Sequence, residues 1–207
     1  YRIERLLGRG GMGRVYLASR EGGLERPVAL KVLPRTKGAR RSRFQKEIEA
    51  LGRLHHPGIA RLLDSGELPT EWGPLPYLAT EFIEGRSLRH VIEAGGPETP
   101  ERVLSFMAEV VETLGFAHQR GVVHRDLKPE NVMIDGAGRA RLLDFGVARL
   151  ENPSITLATR GTQVGQIIGT LQYMAPEQAS AGGGVIDGRA DIYALGVTLY
   201  KMLTGHV

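Results

Sequence analysis

The chain has 207 residues, 42% hydrophobic and 24% charged, an ordinary globular balance with material for one large domain or two small lobes. The net charge is only +4, and much of it sits in Arg35, Lys37, Arg40, Arg41 and Arg43. No aromatic residue interleaves that cluster, so a solvated loop and helix start explains it better than a nucleic-acid patch. Without cysteine there are no disulfides and no thiolate metal sites. No apolar run approaches the ~20 residues of a membrane helix, and no signal peptide is visible. The first residue is Tyr1 rather than Met, so we expect a piece of a longer chain, and the lack of a membrane segment applies to this piece alone.

Residues 1–33 read as strands. Tyr1 to Leu6 alternates, Gly8-Arg9-Gly10-Gly11-Met12-Gly13 interrupts, Arg14 to Ser19 resumes an extended pattern, and a turn at Glu21-Gly22-Gly23 leads to Val28–Leu33. A dinucleotide-binding glycine loop would run into a helix, whereas Val15-Tyr16-Leu17 is β-branched and aromatic. By itself the glycine pattern fits either a flexible hairpin or a backbone surface open to phosphates. Lys31 lies inside an apolar strand, where it needs an anionic partner or an outward-facing edge. Residues 42–54 look helical, with Phe44, Ile48, Leu51 and Leu54 on one stripe; Glu47 or Glu49 could meet Lys31. His55-His56-Pro57 reads as a helix stop, since no second ligand pair has metal-binding spacing.

Two further strands are expected at Ile59–Asp64 and Tyr77–Ile83, joined by a stretch holding Pro69, Gly73, Pro74 and Pro76. After Glu84-Gly85-Arg86 the pattern turns helical. Ser87 caps a short helix to Ala94. Thr99, with Pro100 and Glu101 behind it, opens a long one to Gln119 whose apolar face is Val103, Met107, Val110, Leu114 and Ala117. Arg102 stands where a capping box would want Glu or Gln.

The segment His124-Arg125-Asp126-Leu127-Lys128-Pro129-Glu130-Asn131 places an acid, a cation and an amide between two apolar runs. Pro129 biases Lys128 toward extended dihedrals, so a shaped loop is expected here. Alone it reads either as a charged surface turn or as chemistry held on a rigid base. A strand, Arg141-Leu142-Leu143, then ends in Asp144-Phe145-Gly146; a Thr-rich stretch follows; Ala175-Pro176-Glu177 precedes a helix beginning near Asp191.

Taken in this order, the six motifs resemble the eukaryotic-type serine/threonine protein kinase domain across essentially the whole chain. Gly8 to Tyr16 and Met174-Ala175-Pro176-Glu177-Gln178-Ala179 resemble its bacterial branch, and Lys128 two residues after Asp126 matches its serine/threonine pattern. The resemblance implies an α+β, two-lobed protein kinase-like fold: a small antiparallel β-sheet lobe with one helix (1–80), a hinge (81–85) and a larger, mainly helical lobe (86–207), incomplete at its end. It implies ATP and Mg²⁺ or Mn²⁺ as cofactors. Leu7, Gly8, Arg9, Gly10, Gly11, Met12, Gly13, Arg14 and Val15 would cover the ATP phosphates. Lys31 would hold the phosphates and pair with Glu47; Ala29, Val15 and Met133 would clamp adenine, and Glu81 and Ile83 would bond it beside Thr80. Asp126 would receive the substrate hydroxyl proton, Lys128 would steady the moving phosphate, and Asn131 and Asp144 would ligate the metal.

Arg125 before Asp126 is the arrangement of kinases switched by activation-loop phosphorylation. We expect autophosphorylation at Thr162, with Thr159 or Thr156 as alternates, while Thr170 has a structural task near Asp126 and Lys128. The expected partners are a protein bearing Ser or Thr and a second copy for phosphorylation in trans, with no nucleic acid and no membrane segment in this piece. The expected setting is the cytoplasm, with the cytoplasmic domain of a longer, membrane-anchored protein as one option. The family's later helices are missing after Val207, so low stability in isolation is expected. Two other classes compete: a pseudokinase scaffold, opposed by the presence of Lys31, Asp126, Asn131 and Asp144, and a dinucleotide oxidoreductase, opposed by the strand after the glycines.

Overall fold

The computed structural model describes residues 1–10, 13–22, 26–34, 39–71, 73–95, 99–145, 171–179 and 186–206, with the side chains of 39–44 and 47 outside that description. The chain folds into two compact units. The first is built on Tyr1–His55 and Ala60–Phe82, the second on His56–Ile59 and, among the described residues, those from Ile83 onward.

In the first unit, five strands form an antiparallel sheet: β1 (Arg2–Gly10), β2 (Gly13–Ser19), β3 (Pro27–Val32), β4 (Leu62–Leu68) and β5 (Leu75–Glu81), in the order β1-β2-β3-β5-β4. Helix α1 (Ala39–Gly52) follows β3. Directly opposed residues share a face of a sheet. The pairs Ala18↔Val28 and Leu30↔Ala79 therefore bring four buried side chains onto one face. Tyr1 and Tyr77 pack against them, and both hydroxyls donate to Asp64, at 2.9 and 3.2 Å. Burying a leucine such as Leu30 contributes roughly 2 kcal/mol. Burial raises the Tyr1 phenol to about 12, helped by the bond to the Asp64 carboxylate.

Two strand expectations need correction. The glycine segment does not interrupt the sheet: β1 runs through Gly8 to Gly10, and Gly10 pairs with Gly13 across the hairpin. The strand expected at Ile59–Asp64 instead spans Leu62–Leu68, because β5 supplies ladder partners to Ser65, Gly66 and Glu67 despite their turn-like character. Ile59 is buried and makes an isolated parallel bridge to Leu142 within the second unit.

The second unit holds α2 (Leu88–Gly95), α3 (Pro100–His118), a 3₁₀ turn (Pro129–Asn131), α4 (Pro176–Ala179) and α5 (Gly188–Thr204). Its small antiparallel sheet is β6 (Gly85–Ser87), β7 (Val132–Asp135) and β8 (Ala140–Leu142). The helix starts follow the caps. Ser87 Oγ accepts from the His90 amide at 3.2 Å, and Thr99 Oγ1 from the Arg102 amide at 3.5 Å. All five apolar positions expected on α3 are buried, and α3 packs on α5. His56 is a structural stop: its Nδ1 accepts from the Gly58 amide at 3.1 Å and its ring lies 4.8 Å from that of Phe116. Helix α5 begins at Gly188, capped by Asp187, three residues before the expected start.

Among the described residues of the hairpin, Gly13 is the one glycine with a demanding geometry. Its φ is 121°, and a Cβ there would run into the carbonyl oxygen of Val32. Gly13→Ala should therefore lower the unfolding free energy by roughly 1–3 kcal/mol, measured by urea denaturation. An unchanged midpoint would contradict this close approach.

Candidate active site

The first unit sorts its residues by strand register. Val15 lies opposite Lys31, Leu17 opposite Ala29, and Ala29 in turn opposite Thr80. Val15, Ala29, Lys31 and Thr80 thus share the sheet face that turns away from the Ala18–Val28–Leu30–Ala79 core. All four are half-buried, and Thr80 Oγ1 lies 3.5 Å from the Ala29 carbonyl. Leu7, Gly8, Arg9 and Gly10 lie on β1; Gly13 and Arg14 open β2. Gly11 and Met12 lie outside the described residues, as does the side chain of Glu47 on α1. Glu81 closes β5, where its amide donates to the Arg61 carbonyl at 2.9 Å.

In the second unit the loop from His124 to Asn131 is fastened peptide by peptide. Asp191, on the first turn of α5 and fully buried, accepts from the His124 amide through Oδ2 and from the Arg125 amide through Oδ1, both at 2.8 Å. His118, at the end of α3, places Nε2 2.7 Å from Asp191 Oδ2. A buried carboxylate is tolerated only when its lone pairs are taken up in this way. The anchored loop lets Arg125 adopt φ 63°, a left-handed conformation that costs a non-glycine residue about 1–2 kcal/mol.

His124 is buried completely. Its Nδ1 accepts from the Asp126 amide at 3.3 Å, so Nε2 carries the proton and donates to the Leu143 carbonyl at 2.9 Å. Burial pushes its pKa below the ordinary value, against the opposing pull of Asp191 and Asp126. Its ring centroid lies 4.7 Å from that of Phe145. The imidazole therefore couples the loop to the segment carrying Asp144.

These anchors bring Asp126, Lys128 and Asn131 together. Lys128 is extended, as Pro129 requires, with φ −164° and ψ 161°. Its Nζ lies 3.2 Å from Asp126 Oδ2. The Asn131 amide nitrogen donates to the Asp126 carbonyl at 2.8 Å and to its carboxylate at 3.1 Å. That commitment of the nitrogen leaves the side-chain oxygen of Asn131 as the amide atom that could hold a cation. Leu143 donates its amide to the Asn131 carbonyl at 2.9 Å, so Asp144 follows directly from a residue tied to the loop. β8 ends at Leu142, before Asp144, which has φ 50°. Met133 sits half-buried on β7. Ile83 follows β5 and is buried. Thr156, Thr159, Thr162 and Thr170 lie outside the described residues.

Sequence reasoning missed Asp191 as an anchor, reading it only as a helix start. The available signal was an acid leading the apolar run Ile192-Tyr193-Ala194-Leu195, a position that demands donors once buried. It also gave no separate task to His118 or Gln178.

The family model described as "Protein kinase domain" matches residues 1–207. The chain is 41% identical over 208 residues to the serine/threonine-protein kinase PknB of Mycobacterium leprae, covering 99% of this chain and 32% of that protein. It is 42% identical over 213 residues to the serine/threonine-protein kinase pkn2 of Myxococcus xanthus, covering 24% of that protein. The chain thus spans about a third or less of these curated relatives. A crystal structure of the Mycobacterium tuberculosis PknI kinase domain, a point mutant, is similar with a TM-score of 0.73 and 31% identity, over 99% of this chain and 73% of that one. The chain belongs to the protein kinase domain family and has its fold. Its relatives in this comparison are bacterial serine/threonine kinases.

Two predictions follow from the anchors. Asp191→Asn turns an N–H₂ toward donors that Asp191 satisfies, and should cost roughly 2–4 kcal/mol in denaturant unfolding. A loss within about 0.5 kcal/mol would contradict the anchoring role. The native state holds His124 neutral, whereas the unfolded chain protonates it near pH ~6.5. Below that pH the unfolded state binds the extra proton, so His124 makes stability fall as pH drops toward its depressed native pKa. Long-range ¹H–¹⁵N NMR should find the Nε2–H tautomer unchanged from pH 8 to 6; a titration centred near 6.5 would overturn the assignment.

Proposed function

We propose that this chain is the catalytic domain of a serine/threonine protein kinase, transferring the γ-phosphoryl of ATP to Ser or Thr hydroxyls of proteins. The observation that carries the reading is the Asp126 carboxylate, held within 3.2 Å of Lys128 Nζ and 3.1 Å of the Asn131 amide on a loop fastened to Asp191. Phosphoryl transfer needs little covalent chemistry from the protein; it needs in-line positioning and charge neutralisation. Asp126 orients the acceptor hydroxyl and takes its proton. Lys128 balances charge on the moving phosphoryl.

Protein kinases use ATP with a divalent cation, and the oxygen donors Asn131 and Asp144 fit a hard ion such as Mg²⁺ or Mn²⁺. Among the described residues no group of three His, Cys, Asp or Glu forms a self-contained metal cage. Mg²⁺ is commonly held by one or two carboxylates together with substrate phosphates and water, and Asn131 with Asp144 would supply the protein's share. The ion would offset phosphate charge when bound.

In the first unit, Lys31 holds the nucleotide's phosphates, with Glu47 as its partner. Val15 and Ala29 supply an apolar surface for adenine, and Met133 on β7 is a further apolar candidate for it. Glu81 gives its amide to the Arg61 carbonyl, and a backbone bond from Glu81 to the base is part of the proposal. Ile83 contributes a backbone bond, and Thr80 is the small side chain beside it. The stretch from Leu7 to Val15 covers the phosphates, and residues 81–85 are the hinge between lobes 1–80 and 86–207. Arg125 receives the phosphate of a modified activation-loop threonine, Thr162 or Thr159, while Thr170 supports Asp126. Among the described residues no helix is long and apolar enough to cross a membrane. We place the domain in the cytoplasm, acting on protein substrates and, in trans, on a second copy of itself.

Radiolabelled ATP with Mg²⁺ tests the reading. The parent chain should label itself and a Ser/Thr acceptor, and Asp126→Asn should cut the rate by about a hundredfold or more. Mass spectrometry should find phosphate between Val147 and Gly169. Equal labelling of parent and variant would refute the catalytic assignment.

A further inference from the structure

We infer that Gln178 is a positioning residue for the transfer reaction, acting on Asp126 through the Arg125–Asp126 peptide group. The inference rests on the kinase reading above and adds a residue to it. Gln178 is the third residue of α4, with Ala175 at the cap and Pro176 in the first position. Its Oε1 accepts from the Ala175 amide at 3.1 Å, which is the returning half of a capping box. Capping needs only that oxygen, and a glutamate would do it as well or better at a helix N-terminus.

The second half of the amide has a different destination. Nε2 donates to the Arg125 carbonyl at 2.8 Å, fifty-three residues away in sequence. The same peptide group presents its N–H, that of Asp126, to His124 Nδ1 at 3.3 Å. One peptide plane is thus gripped on its carbonyl side by Gln178 and on its amide side by His124. It joins a left-handed residue, with φ 63°, to the residue whose carboxylate does the proposed chemistry. Rotating this plane would swing Asp126 away from Lys128 and Asn131. Only a side chain that accepts and donates at once can bridge Ala175 and Arg125; glutamine does, and glutamate at neutral pH does not.

This separates the two roles in one substitution. Gln178→Glu keeps the cap and sets a carboxylate oxygen against the Arg125 carbonyl. Relative to the parent chain, we expect kcat of this variant for peptide phosphorylation to fall about tenfold, with KM for ATP nearly unchanged and the thermal midpoint lowered by no more than about 4 °C. Amide hydrogen exchange reads the same contact without turnover. The His124–Asp126 amides should exchange several-fold faster in Gln178→Glu, with α3 unaffected. Equal exchange in parent and variant would overturn the inference whatever the activity, as would an unchanged kcat. A loss of kcat with the thermal midpoint lowered beyond that range would reduce Gln178 to a helix cap and also overturn it. A parent chain that shows the expected exchange difference but transfers no phosphate would instead count against the kinase reading.

Discussion

The arrangement of the second unit depends on one buried carboxylate. Asp191 faces no water, and its two oxygens are occupied by the amides of His124 and Arg125 and by the His118 ring. An acid removed from solvent in this way is costly unless each lone pair is engaged, so the loop and the helices that supply the donors are constrained together. Helix α3 contributes His118, α5 contributes the acid, and the loop contributes two successive amides. None of these elements can shift alone without leaving a charge or a donor unmet.

From that anchor the constraint spreads through backbone groups. His124 converts the position of the loop into a position for Leu143 by way of Nε2–H, and Asn131 does the same through its carbonyl. Both non-glycine residues with positive φ, among the described residues, sit beside these ties: Arg125 and Asp144. Strained dihedrals persist only where surrounding bonds over-determine them. Here the bonds are to hand on either side; Arg125 adjoins the proposed base Asp126, and Asp144 is itself a proposed metal ligand.

Much of this was legible in the sequence, and for local reasons. Ser87 and Thr99 announce helix starts because their hydroxyls satisfy early amides, and Pro129 dictates the extended Lys128. The α3 stripe is read from spacing alone. The strand β4 was misplaced because Ser65 and Gly66 carry turn chemistry, while the ladder that makes them a strand comes from β5. Asp191, His118 and Gln178 were passed over for a related reason: their partners lie 53 to 73 residues away, and no short-range pattern encodes such a meeting. The family resemblance reached the carboxylates and the lysines through motif order, which is information about chemistry rather than packing.

The first unit's sheet has a consequence for how this chain can vary in length. β1 pairs with β2 through two register shifts, between Ile3 and Arg5 and between Leu6 and Gly8, whereas β2 meets β3 with none from Arg14 to Ser19. Bulges absorb an added or lost residue locally; an unbroken ladder cannot. One residue deleted within β3 would exchange its two faces, turning Lys31 toward the Leu30 side and Leu30 toward the Lys31 side. The outer strand is therefore where insertions and deletions are cheapest, and β3 is a strand whose length is as fixed as its composition.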